Sequence, residues 1–535
     1  MDAASISTLL GGLGLFLLGI HHLTEGLKGL AGDSLRRALQ RLVSGRFSAV
    51  ASGTVFTALI QSSTAAIITV IGFVGAGLVT FSQAIGVIIG ATLGTTSTPW
   101  LLAIFGFRMR IASVALPLVC VGALLWLVGK GRTRSLGAIL AGFGLLFTGL
   151  DYLQTGMQDV SWNFKEFTGP GSMWILAGIG VVMTIVMQSS TAAAATTLVA
   201  LNAGSVTFLQ ACAMIVGQSI GTTATTALVM IGGGLAVRRA ALGHILFSLI
   251  VGVLGMVFIR PLAASADWLG AQLHDPDGVL ALVAFASIFK LAGIVAFYPW
   301  IDHFSRLIVR ISGTGSESAV SRLEPTVAEA GGAVALEAAW RAILEVAHGA
   351  VDAIRRQLAG ESVKYDPPLE AVQQTEHFLE SLSLESTDLT AMGPRLVRLC
   401  HALDHLRRLH DDLTRIPPTT SGPQPPAGFE AGSLALAAWL DATKDPEETP
   451  NPATVKAIEN ASKQLSDESK TGRKALLEDV ALQRMPAATA RIGLETLTWG
   501  DAALYHAWRL ADSLRIASGN WPTTVVGNTV TETDR

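Results

Sequence analysis

The chain has 535 residues, of which 50% are hydrophobic and 15% are charged, and its mean hydropathy is +0.48. Its formal net charge of -3 gives no sign of nucleic-acid binding, and its scattered cysteines, Cys120, Cys212 and Cys400, indicate neither a disulfide framework nor a thiolate metal site. Long apolar runs end near Asp302 and charged residues are frequent beyond it, so we expect an all-α, multi-pass membrane protein followed by a soluble part.

The first apolar run, residues 5–31, is long enough for one transmembrane helix. The N-terminus shows no basic stretch and no cleavage site, so this run is expected to be a retained span. Residues 48–77 are too long for one straight span and too short for two, and polar residues interrupt them at 61–64. We predict a re-entrant pair of half-helices with its tip at that interruption.

Residues 82–105 can cross the membrane, but the glycine- and threonine-rich stretch 90–96 and Pro99 predict a helix that is broken midway. Residues 111–129 form an ordinary predicted span. A second unit repeats this plan, and a last span follows it. Its predicted elements are the span 136–153, the re-entrant element 173–202, the broken span 208–231 and the span 240–259, followed by the last span 279–300.

An internal duplication accounts for this plan. Residues 61–98 and 188–225 align without a gap at an offset of 127, and 20 of the 38 positions are identical. No Asp, Glu, Lys or Arg occurs in 47–107 or in 171–237, so the shared polar residues are uncharged side chains within apolar sequence. These candidate substrate- and ion-binding residues are Gln61, Ser62, Ser63, Thr64, Thr95, Thr96, Gln188, Ser189, Ser190, Thr191, Thr222 and Thr223.

Each unit is predicted to have three crossings and one element that returns to its own side, which makes the second unit inverted relative to the first. With the N-terminus outside, twelve Lys or Arg residues lie on the cytoplasmic side and four on the other, and this bias agrees with the positive-inside rule. The C-terminal part is then cytoplasmic. The four outer residues are Arg108, Arg110, Lys165 and Arg260.

The soluble part shows helical spacing of apolar residues, which predicts a helical bundle. Its predicted helices are 337–358, 369–384 and 394–415, with one long bent helix or two in 462–518. Polar breaks are predicted at 417–426 and 445–452, and a frayed tail from Asn520.

Small and hydroxylated residues in membrane helices often serve only close packing. Here they lie at the predicted tips and breaks of two inverted units, where discontinuous helices build binding sites. Half-helix N-termini and serine hydroxyls can donate to an anion. Neither motif supplies a Lys or Arg, so co-bound cations are the simplest compensation for anionic charge. The pattern therefore favours ion-coupled symport.

The sequence Gln-Ser-Ser followed by Gly-x-x-x-Gly-Thr-Thr occurs twice within residues 5–300 and resembles the bacterial and type II sodium/phosphate cotransporters. The resemblance implies a multi-pass protein of a bacterial-type inner (plasma) membrane that binds phosphate and sodium at the centre of inverted repeats. Thr64 and Thr191 stand where the family often has a third serine, and Thr92 and Ser219 where it has asparagine. The residues implicated by position are Gln61, Ser62, Ser63, Gln188, Ser189 and Ser190, with Thr95 and Thr222.

The soluble region resembles a PhoU-type helical domain. The expected organisation is therefore repeat 1 in residues 1–134, inverted repeat 2 in 135–260, the last span and a connector in 261–311, and a cytoplasmic PhoU-like bundle in 312–535. His401, Asp404 and His405 share one helical face and could hold a metal, as PhoU-type domains do, although any solvated helix offers such spacing. Lys290 lies within the last span and is either near the substrate or a structural, paired or snorkelling residue.

The leading hypothesis is a secondary active transporter of inorganic phosphate coupled to Na⁺, with a cytoplasmic regulatory domain. Two alternatives stay open: a phosphate exporter or transporter of another tetrahedral oxyanion, and a membrane-anchored partner in phosphate signalling. An enzyme is not expected, because the membrane region shows no nucleophile–base pair or metal-binding motif. The expected partners are phosphate, sodium ions and the lipid bilayer, and a homodimer is compatible with the sequence.

Overall fold

The computed structural model describes residues 3–43, 45–108, 112–158, 171–232, 234–312, 323–382, 386–414, 426–445 and 450–518. All regular elements in these residues are helices, and the chain divides into two compact units, Met1–Gly315 and Ser316–Arg535. The predicted break at 417–426, apart from its last residue, the centre of the break at 445–452, and the tail from Asn520 lie outside the described residues.

The described part of the first unit contains fourteen α-helices, a π-helix at Leu102–Arg108 and a 3₁₀ turn at Tyr298–Trp300. The helices are α1 (Ala3–Leu42), α2 (Arg46–Ile60), α3 (Ser63–Gly75), α4 (Phe81–Gly94), α5 (Ser97–Leu101), α6 (Ala112–Val128), α7 (Arg132–Gln158), α8 (Ser172–Met187), α9 (Ser190–Asn202), α10 (Phe208–Gly232), α11 (Leu235–Val257), α12 (Ile259–Gln272), α13 (Val279–Phe297) and α14 (Ile301–Ile311).

Five helical stretches in the described residues are long and apolar enough to cross a membrane. They are Ala4–Ala31, Phe81–Arg108, Arg132–Met157, Leu235–Val257 and Val279–Ile311. Large apolar side chains also face outward on shorter helices; Leu127 on α6 is 72% exposed and Val186 on α8 is 76% exposed. Such an exterior suits lipid rather than water. The prediction of an all-α membrane protein is confirmed.

Glycines let the duplicated helices approach closely, and they do so in the same way in both copies. Helix α2 packs on α4, and the equivalent α8 packs on α10. A Cβ atom on Gly53 would overlap the carbonyl oxygen of Val87, and one on Gly180 would overlap that of Met214, at the offset of 127 residues. Each copy is therefore the same two-helix unit with a half-helix, α3 or α9, against it.

The breaks differ between the two copies. In the first, the α-helix stops at Gly94 and resumes at Ser97, as predicted. In the second, α10 runs from Phe208 to Gly232 without interruption, so the prediction of a broken span at 208–231 is wrong. The reason is local: Pro99 cannot donate a backbone hydrogen bond to the preceding turn, whereas the equivalent Thr226 can.

The described part of the second unit is a bundle of seven helices around α16. The helices are α15 (Pro325–Glu329), α16 (Gly332–Leu358), α17 (Leu369–Glu380), α18 (Ser386–Thr414), α19 (Ala427–Ala442), α20 (Pro452–Ala481) and α21 (Ala487–Ser518). Trp340 of α16 is 3% exposed, and its indole N–H donates to the Leu514 carbonyl at 2.9 Å, which joins the start of α16 to the end of α21. The sequence pattern did not predict α19. Of the two alternatives for residues 462–518, the structure has two helices, α20 and α21.

Candidate functional site

Two glutamines form the corners between half-helices. Gln61 follows α2 with φ 61° and ψ 26°, and Gln188 follows α8 with φ 51° and ψ 23°. They are two of four non-glycine residues with positive φ in the described chain. A left-handed conformation costs a residue with a side chain about 1–2 kcal/mol. A strained residue repeated in both copies at the predicted tips is an observation that points to function.

The next residue, a serine, begins the second half-helix in each copy. Ser62 caps α3 by accepting from the Ala65 backbone N–H, and Ser189 caps α9 by accepting from the Ala192 N–H, each at 3.2 Å. The first turn of each 13-residue helix keeps further backbone N–H groups that have no intrahelical partner. Both corners therefore present the positive end of a helix dipole.

Four hydroxyl groups directly after these caps have no hydrogen-bond partner within the described chain. They belong to Ser63, Thr64, Ser190 and Thr191. Their position explains this, because a residue in the first turn has no carbonyl of an earlier turn to bond. Threonines deeper in the helices do bond back; Thr196 of α9 donates to the Ala192 carbonyl at 3.0 Å. The four free hydroxyls are available to a ligand.

Both tetrads, residues 61–64 and residues 188–191, line one cavity of about 160 Å³, which we call the motif cavity. The two copies of the motif, 127 residues apart, thus meet in one space. Thr95 and Thr222 of the glycine motifs also line it. The motif cavity can hold several water-sized molecules, because one water needs a cavity volume of at least about 10–15 Å³.

A second space of about 50 Å³, which we call the lysine cavity, adjoins the first and is lined by Thr92, Thr96, Gln218, Ser219 and Lys290. The two cavities have several lining residues in common. These are Ser63, Ile67, Thr95, Ser190, Thr191, Thr222 and His244. No Asp or Glu is among the described residues that line either cavity, so the only ionisable groups there are cationic or neutral.

Eleven of the twelve residues predicted from the duplication line one or both cavities, and the exception is Thr223. Its hydroxyl donates to the Ile220 carbonyl at 2.7 Å, and it lines neither cavity. Thr96 lines the lysine cavity alone.

The side chain of Gln61 is bound within its own copy. Its amide N–H donates to the Ala58 carbonyl at 2.5 Å and to the Ser97 hydroxyl at 2.9 Å, and its carbonyl oxygen accepts from Thr98. Gln188 makes one such bond, to the Ile185 carbonyl at 2.6 Å. Thr225, which is equivalent to Thr98, donates instead to the Thr222 carbonyl at 2.8 Å, so the amide oxygen of Gln188 has no hydrogen-bond partner in the described chain.

The sequence pattern did not assign Lys290 or His244 to the binding site. The Lys290 ammonium group donates to the Thr95 hydroxyl at 2.7 Å, and a ring nitrogen of buried His244 lies 2.8 Å from the Thr226 hydroxyl. The signal for Lys290 was a charge within an apolar span. No signal singled out His244, because one histidine in a span has many structural uses.

Gln218 contributes an acceptor without a partner. It is 2% exposed, and its amide N–H donates to the Ala193 carbonyl at 3.1 Å and to the Thr197 hydroxyl at 2.7 Å. Because a carbonyl can only accept, these contacts fix the orientation of the amide. Its oxygen then has no hydrogen-bond partner in the described chain. The equivalent residue of the first copy is Ala91, so this acceptor belongs to one copy only.

Two of the three metal candidates of the soluble unit have other partners, and the third, His401, is exposed. Exposed Asp404 pairs with Arg408 at 3.0 Å, and His405 contacts His506, with their Nδ1 atoms 3.1 Å apart. Burial and the neighbouring imidazole lower the pKa of His405 to about 4. Within the described residues, no group of three or more His, Cys, Asp or Glu side chains could hold a metal ion.

Comparison with known proteins supports the membrane unit. Residues 15–155 and 165–270 match the Na⁺/Pi-cotransporter family. The uncharacterised protein YqeW of Bacillus subtilis is 30% identical over 303 residues, which are 55% of this chain and 94% of that protein. YjbB of Salmonella typhimurium and of Escherichia coli K12, which carry the provisional name inorganic phosphate export protein, are 29% and 28% identical over 310 and 306 residues.

Each YjbB match covers 56% of this chain, and the chain spans about half the length of these relatives, 55% and 54%. No solved structure matches the chain at a significant level. The residues matched by the family contain both tetrads and both glycine motifs and end before the second unit. The family is one of transporters rather than enzymes. The chain therefore belongs to the Na⁺/Pi-cotransporter family.

Proposed function

We propose that the protein is a secondary active transporter that moves inorganic phosphate together with sodium ions through the motif cavity. One observation carries the proposal: hydroxyls without partners, two from each copy, line a single cavity at the N-termini of two half-helices. The family name supplies the substrate and the ion.

The cavity suits an oxyanion for three reasons. Serine and threonine hydroxyls can donate to phosphate oxygens. The helix N-termini of α3 and α9 add backbone N–H donors and the positive ends of their dipoles. The described lining lacks carboxylates, which would repel the anion. These features favour a tetrahedral oxyanion, and phosphate is the one that the family transports.

The same walls offer oxygens to sodium. The amide oxygens of Gln188 and Gln218 have no hydrogen-bond partner in the described chain, and several threonines line the same cavities. In transporters with discontinuous helices, such oxygens and unwound carbonyls coordinate Na⁺ while half-helix N-termini hold the anion. Binding both ions in adjoining cavities would couple their movement as symport.

The arrangement in the membrane that we infer has two re-entrant hairpins, α2–α3 and α8–α9, that meet near the midplane from opposite sides. Repeat 1 then comprises residues 1–134 and the inverted repeat 2 comprises 135–260. The excess of Lys and Arg on one side supports a cytoplasmic second unit, beneath the inner membrane of a bacterial-type cell. There the bundle would act as a PhoU-like regulatory domain.

Net export is a second candidate for the same site, because the YjbB relatives are named for phosphate export. Both directions use the same cavity, and the ion gradients decide between them.

The test is transport of labelled phosphate by the purified protein in liposomes, with an inward gradient of Na⁺ or of K⁺. The test variant carries Ser63→Ala and Ser190→Ala, and Ser265→Ala is the matched control because this exposed serine lies on α12, away from the cavities. We expect uptake that requires Na⁺ and falls at least about tenfold in the double variant, since a hydrogen bond to a charged group contributes about 1.5–3 kcal/mol.

Equal uptake in Na⁺ and K⁺ would contradict sodium coupling. If sulfate competes with labelled phosphate as strongly as unlabelled phosphate does, the assignment of phosphate as the specific substrate is contradicted. If the double variant takes up phosphate as fast as the wild type, the binding site does not lie in the motif cavity. Vesicles loaded with phosphate and placed in phosphate-free buffer, with the gradient reversed, decide whether export occurs.

A further inference from the structure

Lys290 occupies a defined place against the site. It lies in α13, outside the duplicated residues and beyond the residues matched by the family. This helix packs against α4 of the first copy and α10 of the second. One turn earlier, the Ser287 hydroxyl accepts from the Trp100 indole N–H at 3.0 Å, which fixes this face of α13 beside the first copy.

The ammonium group of Lys290 lacks a counterion in the described chain. No carboxylate is paired with it, and no Asp or Glu lines the lysine cavity. Its one hydrogen bond goes to a neutral group, the Thr95 hydroxyl, at 2.7 Å. A charged ammonium group within a membrane span is costly unless an opposite charge pairs with it. A protonated Lys290 therefore has no opposite charge beside it in the described chain, and an anion in the lysine cavity would supply one.

A purely structural role accounts poorly for this geometry. Snorkelling would carry the ammonium group to a membrane surface, and structural pairing would give it a carboxylate. Instead, Lys290 contacts the glycine motif of the first copy in a cavity that Ser63, Ser190 and Thr222 also line. The side chain points at the residues that are predicted to bind the substrate.

We propose that Lys290 is the fixed positive charge with which the transported oxyanion pairs, and that Thr95 holds the ammonium group until the anion enters. This deepens the proposed function and rests on it. It also changes the charge balance, because a divalent phosphate beside Lys290 needs one sodium ion rather than two for neutrality. Lys290 would thus be a specificity-determining residue for anions, placed on a helix outside both repeats.

The test compares the full-length wild type with Lys290→Met and Lys290→Gln in the liposome assay and in thermal unfolding. Both changes remove the charge, and Gln keeps a donor for Thr95. We expect the phosphate concentration for half-maximal uptake to rise at least about tenfold in both variants, because losing one partner of a buried charge pair has a large effect on binding. Lys28→Gln, which removes an exposed lysine paired with Glu25, should leave it unchanged.

Thermal unfolding in detergent provides a readout that a structural lysine would not give. Without phosphate, Lys290→Met should unfold at the same temperature as the wild type or higher, since an unpaired charge has been removed from an apolar region. Added phosphate should raise the midpoint of the wild type and of Lys28→Gln, but not that of Lys290→Met.

An unchanged half-saturating phosphate concentration in either neutral variant would overturn the inference. So would a lower unfolding temperature of Lys290→Met that still responds to phosphate, because Lys290 would then be structural. If the wild type moves no phosphate under any gradient, the proposed transport fails, and the thermal response to phosphate still decides the role of Lys290.

Discussion

Gln61 and Gln188 show how a duplicated residue can keep its backbone role and change its side-chain role. Both adopt the left-handed conformation that ends one half-helix and starts another. Gln61 makes three side-chain hydrogen bonds within its own copy, and Gln188 makes one. The first glutamine therefore contributes mainly to local structure, and the second keeps its amide oxygen for a ligand.

This difference predicts unequal effects of glycine at the two corners. Glycine relieves about 1–2 kcal/mol of left-handed strain, and each lost hydrogen bond costs about 0.5–1.5 kcal/mol. Gln188→Gly should leave the unfolding temperature near that of the wild type, because one lost bond offsets the relief. Gln61→Gly should unfold at a lower temperature, and its free energy of unfolding should be about 1–3 kcal/mol below that of Gln188→Gly, because it loses two more hydrogen bonds.

The measurement is thermal unfolding of full-length protein in detergent. Gln188→Ala is the control, because alanine loses the amide and keeps the strain, so it should be less stable than Gln188→Gly. Equal stability of the two glycine variants would mean that the bonds of Gln61 do not contribute, and this account of the corners would fail.

At the scale of elements, the close approach of helix pairs positions the corners. Helix α8 carries two glycines two residues apart, and they face different surroundings. A Cβ atom on Gly180 would overlap the backbone of Met214 in α10, whereas one on Gly178 would meet no atom within 4 Å. Because the obstacle is backbone and cannot rotate away, α8 and α10 would have to separate, and Gln188 at the end of α8 would move with them.

We therefore expect opposite results from the same substitution on one helix. Gly180→Ala should destabilise the protein by about 1–3 kcal/mol through overpacking and should reduce transport. Gly178→Ala should be neutral or stabilising by about 0.5–1 kcal/mol, because alanine favours a helix. Unfolding midpoints and uptake rates of the two variants provide the check, and a Gly180→Ala protein as stable and active as Gly178→Ala would refute the packing argument.

The elements also show how far the sequence could lead. The apolar runs and the Gln-Ser-Ser-Thr interruptions predicted the long apolar helices of the first unit and both corners, because hydrophobicity and local chemistry determine them. The predicted break in 208–231 is wrong because the glycine motif alone does not interrupt the helix. In the first copy Pro99 follows this motif, whereas the second copy has Thr226 at the equivalent position. The position of Lys290 beside Thr95 could not be predicted, since it depends on long-range packing of a helix that has no repeat.

At the scale of the whole molecule, both copies of the duplication contribute to the cavity walls, and α13 contributes the rest of the lysine cavity. The two tetrads come from separate copies. Gln218, His244 and Lys290 are not repeated in the duplication, so the lining of the cavities is asymmetric. In a transporter built from inverted repeats, the two halves exchange conformations to open the site to either side. The inferred topology, with the soluble unit in the cytoplasm, decides which side each opening faces.

The cysteines offer a test of that topology. Cys400 of the soluble unit and Cys120 of α6 are exposed, and Cys212 is buried. In a Cys120→Ser variant, a membrane-impermeant maleimide should not label Cys400 in intact cells and should label it after permeabilisation. Partial burial and nearby Glu376 raise the pKa of the Cys400 thiol, so the permeabilised reaction should be followed until it is complete.

The opposite result is expected for a cysteine at Asp277, in the exposed connector between α12 and α13, which the inferred topology places outside. With Cys120→Ser and Cys400→Ser as background, Asp277→Cys should be labelled in intact cells. If the maleimide labels Cys400 but not Asp277→Cys in intact cells, the orientation of the protein in the membrane is opposite to the inferred one. The site would keep its geometry, and the proposed cytoplasmic regulation by the second unit would have to be abandoned, because that unit would then lie on the outer side.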